Sequence, residues 1–305
     1  MPRYVARKLA QAIITVFAVM TIGFFLGRLS GKPGALILPE GATQTEIDAF
    51  NATLGFDQPL IVQYGDFLAG LFQGTVGDSY RQKVPALDLL IDRVPATFQL
   101  AITSFVVGLG AALIVALVIF ITRWNWLRLS LLWLGSLRQA VPDFLFGVVL
   151  ALVFSVVLGL LPSLGNQGPE SLVLPVACLA TAQFALYLRL IGSALGEQQG
   201  LDYVRASYAR GQGHPMVVIR QMTPNALVPV LTIAGLNLGG LLGGTVIVEA
   251  VFAWPGMGQV LLQAVNGRDF PVVLGGLAVV AVFFVAVNFL VDLITASIDP
   301  RVRLS

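Results

Sequence analysis

Six runs of about twenty apolar residues punctuate the chain, at residues 9–27, 97–121, 134–158, 172–190, 225–246 and 272–291. At 1.5 Å of rise per residue, roughly twenty residues of α-helix cross a hydrocarbon core about 30 Å thick. Lipid offers no hydrogen bonds to bare backbone, so each run is predicted to be helical. Composition agrees: 57% of the residues are hydrophobic, 11% are charged and the mean hydropathy is +0.86. A soluble domain carries roughly 25% charged residues. The expected fold class is an all-α integral membrane protein with six transmembrane helices. Arg3, Arg7 and Lys8 precede the first run as they would a secretory signal. Its 19 residues, however, exceed the apolar core of a signal, and no clean A-x-A cleavage site follows.

Lysine and arginine in the short connections set the expected orientation. Three lie before the first run (Arg3, Arg7, Lys8), three in the second connection (Arg123, Arg128, Arg138), four in the fourth (Arg189, Arg205, Arg210, Arg220) and two at the end (Arg301, Arg303). The third connection has none and the fifth only Arg268. Both ends are therefore expected in the cytoplasm. The divisions that follow are residues 1–27 (N-terminus and first span), 28–95 (an external region), 96–297 (five further spans) and a tail at 298–305.

The external region should be ordered. Thr43 with Glu46 forms a capping box for a helix ending near Gly55. Pro59 suits the start of a second helix, which carries Leu60, Tyr64, Phe67, Leu68 and Leu71 on one face. That face is covered either by the membrane and the protein's own spans or by an external partner. Asn51-Ala52-Thr53 fits a glycosylation sequon, a match too short to carry weight.

In the fifth run Gly235, Gly239 and Gly243 recur every four residues, with Gly240 and Gly244 beside them. A helix face stripped of side chains lets backbones approach closely in lipid. It serves packing within the chain, a seam with a second membrane subunit, or the wall of a pathway. Polar residues inside spans cost insertion energy, which makes Gln183, Asn237, Asn288 and Asp292 candidates for interhelical hydrogen bonds or a solute path; Glu249 falls just past the end of the fifth run.

Residues 202–222 interrupt this apolar pattern with Arg205, Arg210, Arg220 and the single histidine, His214. Asp202 is expected to cap a helix starting at Tyr203, with Gly211 and Gly213 ending it. Pro215 suits the first turn of a second short helix, and Thr223-Pro224 reads as the cap of the fifth span, with Pro229 kinking it. A plain connection could be far shorter. Tyr203, Val204, Ser207 and Tyr208 cluster by helical spacing while Arg205 and Arg210 project elsewhere, which suits either a protein groove or a solvated basic loop.

Several functions are excluded or disfavoured. A net charge of +2 is too small for nucleic-acid binding. One histidine and one cysteine, Cys178, rule out a multi-Cys/His metal site and an internal disulfide. The only Gly-Lys pair, Gly31-Lys32, precedes proline, so the chain has no P-loop of its own. No enzymatic chemistry is expected. A self-contained channel or ion-driven secondary carrier is the rival reading, although the inverted repeats common in such carriers are not evident.

The sequence resembles the membrane permease subunits of bacterial ABC importers of the dipeptide and oligopeptide class, a group that also includes nickel and glutathione permeases. The resemblance covers nearly the whole chain. It rests on "DYVRASYARG" followed by "PNALVPV", on "LGGLLGGTVIVEAVFAWPGMGQVL", "RDFPVV", "LGFDQPLIVQY" and "VPATFQL", and on the ending "NFLVDLITASIDPRVR". It implies a type I importer transmembrane domain with a large external insertion after the first span. It also implies a second homologous permease, two cytoplasmic ATPases that use ATP and Mg, and an external solute-binding protein; the chain itself would bind no cofactor. Carried onto this sequence, Asp202, Tyr203, Arg205, Ala206, Gly211 and Pro215 would couple to the ATPases, and Gly235, Asn237, Gly239, Gly243, Glu249, Arg268 and Asp269 would line the pathway or a subunit seam. Arg205-Ala206-Ser207 stands where the family carries its EAA-type coupling triplet and lacks that triplet's glutamate, and His214-Pro215 and Thr223-Pro224 also depart from the family pattern.

Overall fold

The computed structural model describes residues 2–298 apart from 30 and 40; for residues 2–6, 36 and 292–298 it describes the backbone alone. Every regular element among them is helical. In order they are α1 (Pro2–Leu29), α2 (Gly34–Ile37), α3 (Gln44–Thr53), α4 (Leu60–Phe72), α5 (Ala86–Ile91), α6 (Val94–Thr122), α7 (Asn125–Ala140) and α8 (Asp143–Ala151), followed by α9 (Val173–Gln199), α10 (Asp202–Ala209), α11 (His214–Val217), α12 (Thr223–Val251), α13 (Met257–Asn266) and α14 (Phe270–Ile298). Five stretches are long and apolar enough to cross a membrane, namely Arg7–Leu29, Ala86–Thr122, Pro169–Gln199, His214–Val251 and Phe270–Val291.

The third expected span, residues 134–158, is not one straight helix. Its two parts, Asn125–Ala140 and Asp143–Val157, meet at 102°, and they make a sixth span only if taken together. The cause is Pro142, which cannot donate to a helix ladder and pushes the residue before it out of the helical region. Val141 is accordingly extended, with φ −93° and ψ 124°. Beyond α8 a π-helical turn, Leu152–Val157, completes the second arm.

Two units divide the chain, one formed by residues 1–97 and 255–285, the other by residues 98–254 and 286–305. In the first, α3 begins on the expected capping box: the Glu46 amide donates to the Thr43 hydroxyl, and the Glu46 carboxylate accepts from the Thr43 amide at 2.7 Å. These bonds favour the charged form and hold the Glu46 carboxyl below its ordinary value. Gly55 follows with φ +74°. Pro59 stands one residue before α4 rather than inside it. Tyr64, Phe67 and Leu71 of α4 pack on Met20 and Phe24 of α1 and on Leu274 of α14, so the apolar face is covered by the chain's own spans; Leu60 stays exposed. The sequon asparagine is structural, since Asn51 is buried and its Oδ1 accepts from the Gly34 amide at 3.0 Å.

In the second unit α9 lies at the centre and packs on α7, α8 and α12. Close approach is carried by small residues, as expected where lipid gives helices no hydrophobic drive to associate. A Cβ added at Gly135 of α7 would lie 2.7 Å from the Ala185 Cβ of α9. Tyr187, Ile191 and Leu195 of α9 join Val204, Val217, Val218 and Met222 in one buried cluster, which anchors the 202–222 segment to the transmembrane core.

Candidate functional site

The 202–222 segment is built from α10, a turn and α11. α10 starts at Asp202, one residue earlier than expected, with Leu201 in the capping position. Asp202 therefore caps nothing. Its side chain is fully exposed, adds only its charge at the positive end of the helix and lies 3.8 Å from Arg205. The far end follows the expectation for Gly211, whose φ is +80°. The Gly211 amide donates to the Tyr208 carbonyl and the Gln212 amide to the Ser207 carbonyl, the pair of bonds that closes a helix through a left-handed residue. Gly213 is not left-handed; with φ −66° it is the extended cap of α11, and Pro215 occupies the first turn there.

Two faces result. Val204 and Ser207 are buried, and the Tyr203 hydroxyl donates to Gln198 Oε1 at 2.5 Å. Asp202, Arg205, Ala206 and Gly211 are exposed. Arg210 is exposed as well, and its Nη2 donates to the Ser207 hydroxyl at 3.0 Å. His214 bridges Tyr208, whose hydroxyl lies 2.7 Å from Nδ1, and the Phe120 carbonyl, 2.9 Å from Nε2.

Thr223-Pro224 does not start a new helix. Thr223 is helical, and α11 runs through a π-helical turn, Val218–Met222, directly into α12. The wider turn accommodates the missing Pro224 N–H, and the Thr223 hydroxyl donates to the Val218 carbonyl at 2.8 Å. Pro229 sits inside α12. The second half of the segment and the fifth span are thus one continuous rod from His214 to Val251.

The pathway candidates separate. Gly235 and Gly239 are buried, and a Cβ at Gly235 would meet Val291 at 2.0 Å. Gly243 is open, as are Gly240 and Gly244, so the glycine stripe serves internal packing at one end only. Glu249 is not beyond the helix but fully buried within α12. Asn237 is half-buried beside Tyr187 of α9, and Gln183, one turn before Tyr187, lies on the same face. Asn288 is half-buried in α14, while the Asp292 side chain and Arg301 and Arg303 lie outside what is described.

In the other unit Asp269 is 4% exposed and occupied: its Oδ2 accepts from Ser79 Oγ at 2.5 Å and its Oδ1 from the Tyr80 amide at 3.0 Å. Burial pushes the Tyr80 phenol above its ordinary value, against the pull of Arg28. Asp269 thus fastens a loop. Arg268 beside it holds φ +52°.

One residue was misread from sequence altogether. Arg138 counted as a loop charge, yet its side chain is 9% exposed and clamps the break between α7 and α8. Its guanidinium donates to the Val141 carbonyl at 3.1 Å, Asp143 at 2.7 Å, the Cys178 carbonyl at 2.8 Å and Thr181 at 3.1 Å, and it stacks on Phe146. The signal available was an arginine and an aspartate five residues apart around a proline, inside an apolar run.

These features define a multi-pass α-helical membrane protein in which an amphipathic two-helix segment runs on into one membrane helix. The chain belongs to the family of binding-protein-dependent transport system inner membrane components, which matches residues 104–304, and the family's N-terminal region matches residues 1–101. A peptide transport system permease protein of Brucella abortus (strain 2308) is 34% identical over 312 residues, covering 99% of each chain. The glutathione transport system permease protein GsiC of Escherichia coli (strain K12) is 34% identical over 308 residues, again with 99% of each chain covered. Among solved structures, an inward-facing MetNI methionine ABC transporter shares the fold, with a TM-score of 0.55 at 23% identity over 69% of this chain and 96% of that one. The fold is that of a type I ABC importer transmembrane domain.

Proposed function

We propose that the chain forms half of the translocation pathway of an ATP-driven importer for short peptides, glutathione-like compounds included, and that the 202–222 segment receives the mechanical stroke. The observation that carries this reading is the two-faced α10 joined to a continuous rod. Its inner face is locked into the core through Val204, Ser207 and Tyr203, and its exposed face offers Asp202, Arg205 and Ala206 to a partner. A ligand shifts an equilibrium only through differential affinity for two states, so an ATPase that changes shape needs a stiff element to push. The unbroken helical run from His214 to Val251 supports this role for the segment.

On this reading two cytoplasmic ATPases bind ATP and Mg and seat on α10, a second homologous permease completes the pathway, and an external binding protein delivers solute. Both termini are then cytoplasmic and residues 28–95 external. The substrate class follows the relatives named as peptide and glutathione permeases. Gln183, Tyr187 and Asn237 supply polar groups within the spans, where such groups are costly unless used.

The test is reconstitution in liposomes. The chain co-purified with its permease partner, ATPases and binding protein should accumulate labelled dipeptide or glutathione only with ATP. Solute flux through the purified chain alone would overturn the reading in favour of a channel or secondary carrier.

A further inference from the structure

A cavity of about 680 Å³ lies in the first unit, between the end of α1 at Arg28, α4, the 75–80 loop and the start of α14. That volume falls within the roughly 300–1,000 Å³ of small-molecule sites. Its lining is graded. Deeper along α1 and α14 it is apolar, through Phe24, Leu274 and Leu277; towards the end of α1 it meets the Arg28 guanidinium. Leu26 lines the cavity and is 62% exposed, continuous with exposed Ile22 and Phe25, so the space opens on the apolar flank of the first span.

Two polar groups inside it are not satisfied by the described residues. Arg28 lies flat over the Phe56 ring at 3.9 Å and hydrogen-bonds the Tyr80 hydroxyl, yet its Nη1 is buried with no partner among the described residues. Gln63 is 7% exposed; its Nε2 donates to the Gln58 carbonyl, and its buried Oε1 has no partner. Buried polar groups in proteins are nearly always hydrogen-bonded, so an orphan donor and an orphan acceptor in one cavity call for a ligand that carries both complements. Asp66 sits three residues after Gln63, on the same face of α4. Donors therefore come from α1 and acceptors from α4, with exposed Asp78 and half-buried Arg268 also on the wall.

We propose that this cavity holds one phospholipid whose headgroup carries a phosphodiester and a primary ammonium, as in phosphatidylethanolamine. The phosphate accepts from Arg28, the ammonium donates to Gln63 Oε1 and Asp66, and the acyl chains leave past Phe24 and Leu26 into the bilayer. A choline headgroup has no N–H to donate, and a glycerol headgroup has no positive charge to set against Asp66.

Native mass spectrometry of the full-length chain tests this, after delipidation in detergent and addition of phosphatidylethanolamine, phosphatidylcholine, phosphatidylglycerol or dialanine. One phosphatidylethanolamine per chain should survive activation that strips the other lipids. Losing one charge-assisted hydrogen bond should lower its affinity roughly tenfold in Arg28→Gln, and Gln63→Leu should weaken it in the same direction. If either variant fails to fold, headgroup discrimination by the unmodified chain decides. Equal retention of all three lipids, undiminished binding by both variants, or occupancy by dialanine in place of lipid would each overturn the proposal. None of these outcomes depends on the transport reading above.

Discussion

His214 Nε2 lies 2.9 Å from the backbone carbonyl oxygen of Phe120, joining the start of α11 to the end of α6 across 94 residues of sequence. Because the other ring nitrogen meets the Tyr208 hydroxyl at 2.7 Å, one imidazole ties three segments together. A net hydrogen bond contributes about 0.5–1.5 kcal/mol. Tyr208→Phe should therefore lower stability by about 1 kcal/mol and His214→Ala by more, because it also leaves the Phe120 carbonyl without this partner. Thermal unfolding of both variants and of the double variant in detergent should return a positive coupling energy. Strict additivity would mean that the bridge does not act as a unit.

Gly211 has space around it, since a Cβ there would meet nothing within 4 Å, yet its φ of +80° resists any branched side chain. Left-handed backbone costs an L-residue roughly 1–2 kcal/mol. Gly211→Val should leave the spans folded while reorienting α10, so that ATP hydrolysis in the assembled transporter continues as uptake falls. Gly211→Asn, which tolerates this backbone, should keep uptake near that of the unmodified chain. Parallel assays of phosphate release and accumulated peptide would distinguish the two.

Arg138→Leu removes the clamp at the Pro142 break and strands Asp143 together with two carbonyls. Removing one partner of a fully buried ion pair costs about 3–5 kcal/mol. The Asp143 side chain is 40% exposed, so the expected loss, mostly from the stranded carbonyls, is about 1–3 kcal/mol. Arg138→Lys should recover little, because an ammonium cannot reproduce a planar fork that serves four acceptors. Detergent thermal-shift measurements check both, and a loss below about 1 kcal/mol for Arg138→Leu would show the clamp to be dispensable.

The glycine stripe supplies a paired test. Gly235→Ala places a methyl 2.0 Å from Val291 Cγ2, and overpacking of this kind costs about 1–3 kcal/mol. Gly243→Ala meets nothing within 4 Å and should not destabilise the isolated chain. If Gly243 lies at a seam with a second permease, Gly243→Leu should spare chain stability and weaken co-purification of that partner.

Acid should loosen α3. The Glu46 carboxyl titrates below its ordinary value because the Thr43 backbone and hydroxyl hold its charged form. A depressed folded-state value contributes stability that is complete above the unfolded value and disappears as pH falls through the folded one. Relative to Glu46→Gln, the native chain should therefore show greater protection of α3 amides near neutrality, and the difference should close below about pH 4. A pH-independent difference would exclude the capping carboxylate as its cause.

Much of this architecture was legible in the chain itself. Hydrocarbon thickness and the need to satisfy backbone bonds locally are one-dimensional constraints, so five of the six apolar runs appear as helices long enough to span a membrane. The Thr43–Glu46 box and the turn at Gly211 are likewise local, decided by residues three or four apart. Asp202 and Thr223 misled because a cap depends on where the helix begins, and that was settled by an extended Leu201 and by a π-helical turn anchored through buried Val218 and Met222.

What the sequence by itself determined is helix content, the apolar spans and the existence of an ordered amphipathic segment between the fourth and fifth of them. Tertiary structure alone decided that Arg138 is a buried clamp instead of a loop charge, that Asp269 fastens a loop, and that His214 reaches Phe120. Each of these depends on groups brought together from distant positions, where the price of desolvating a charge or an amide is offset only by partners that adjacent sequence does not contain.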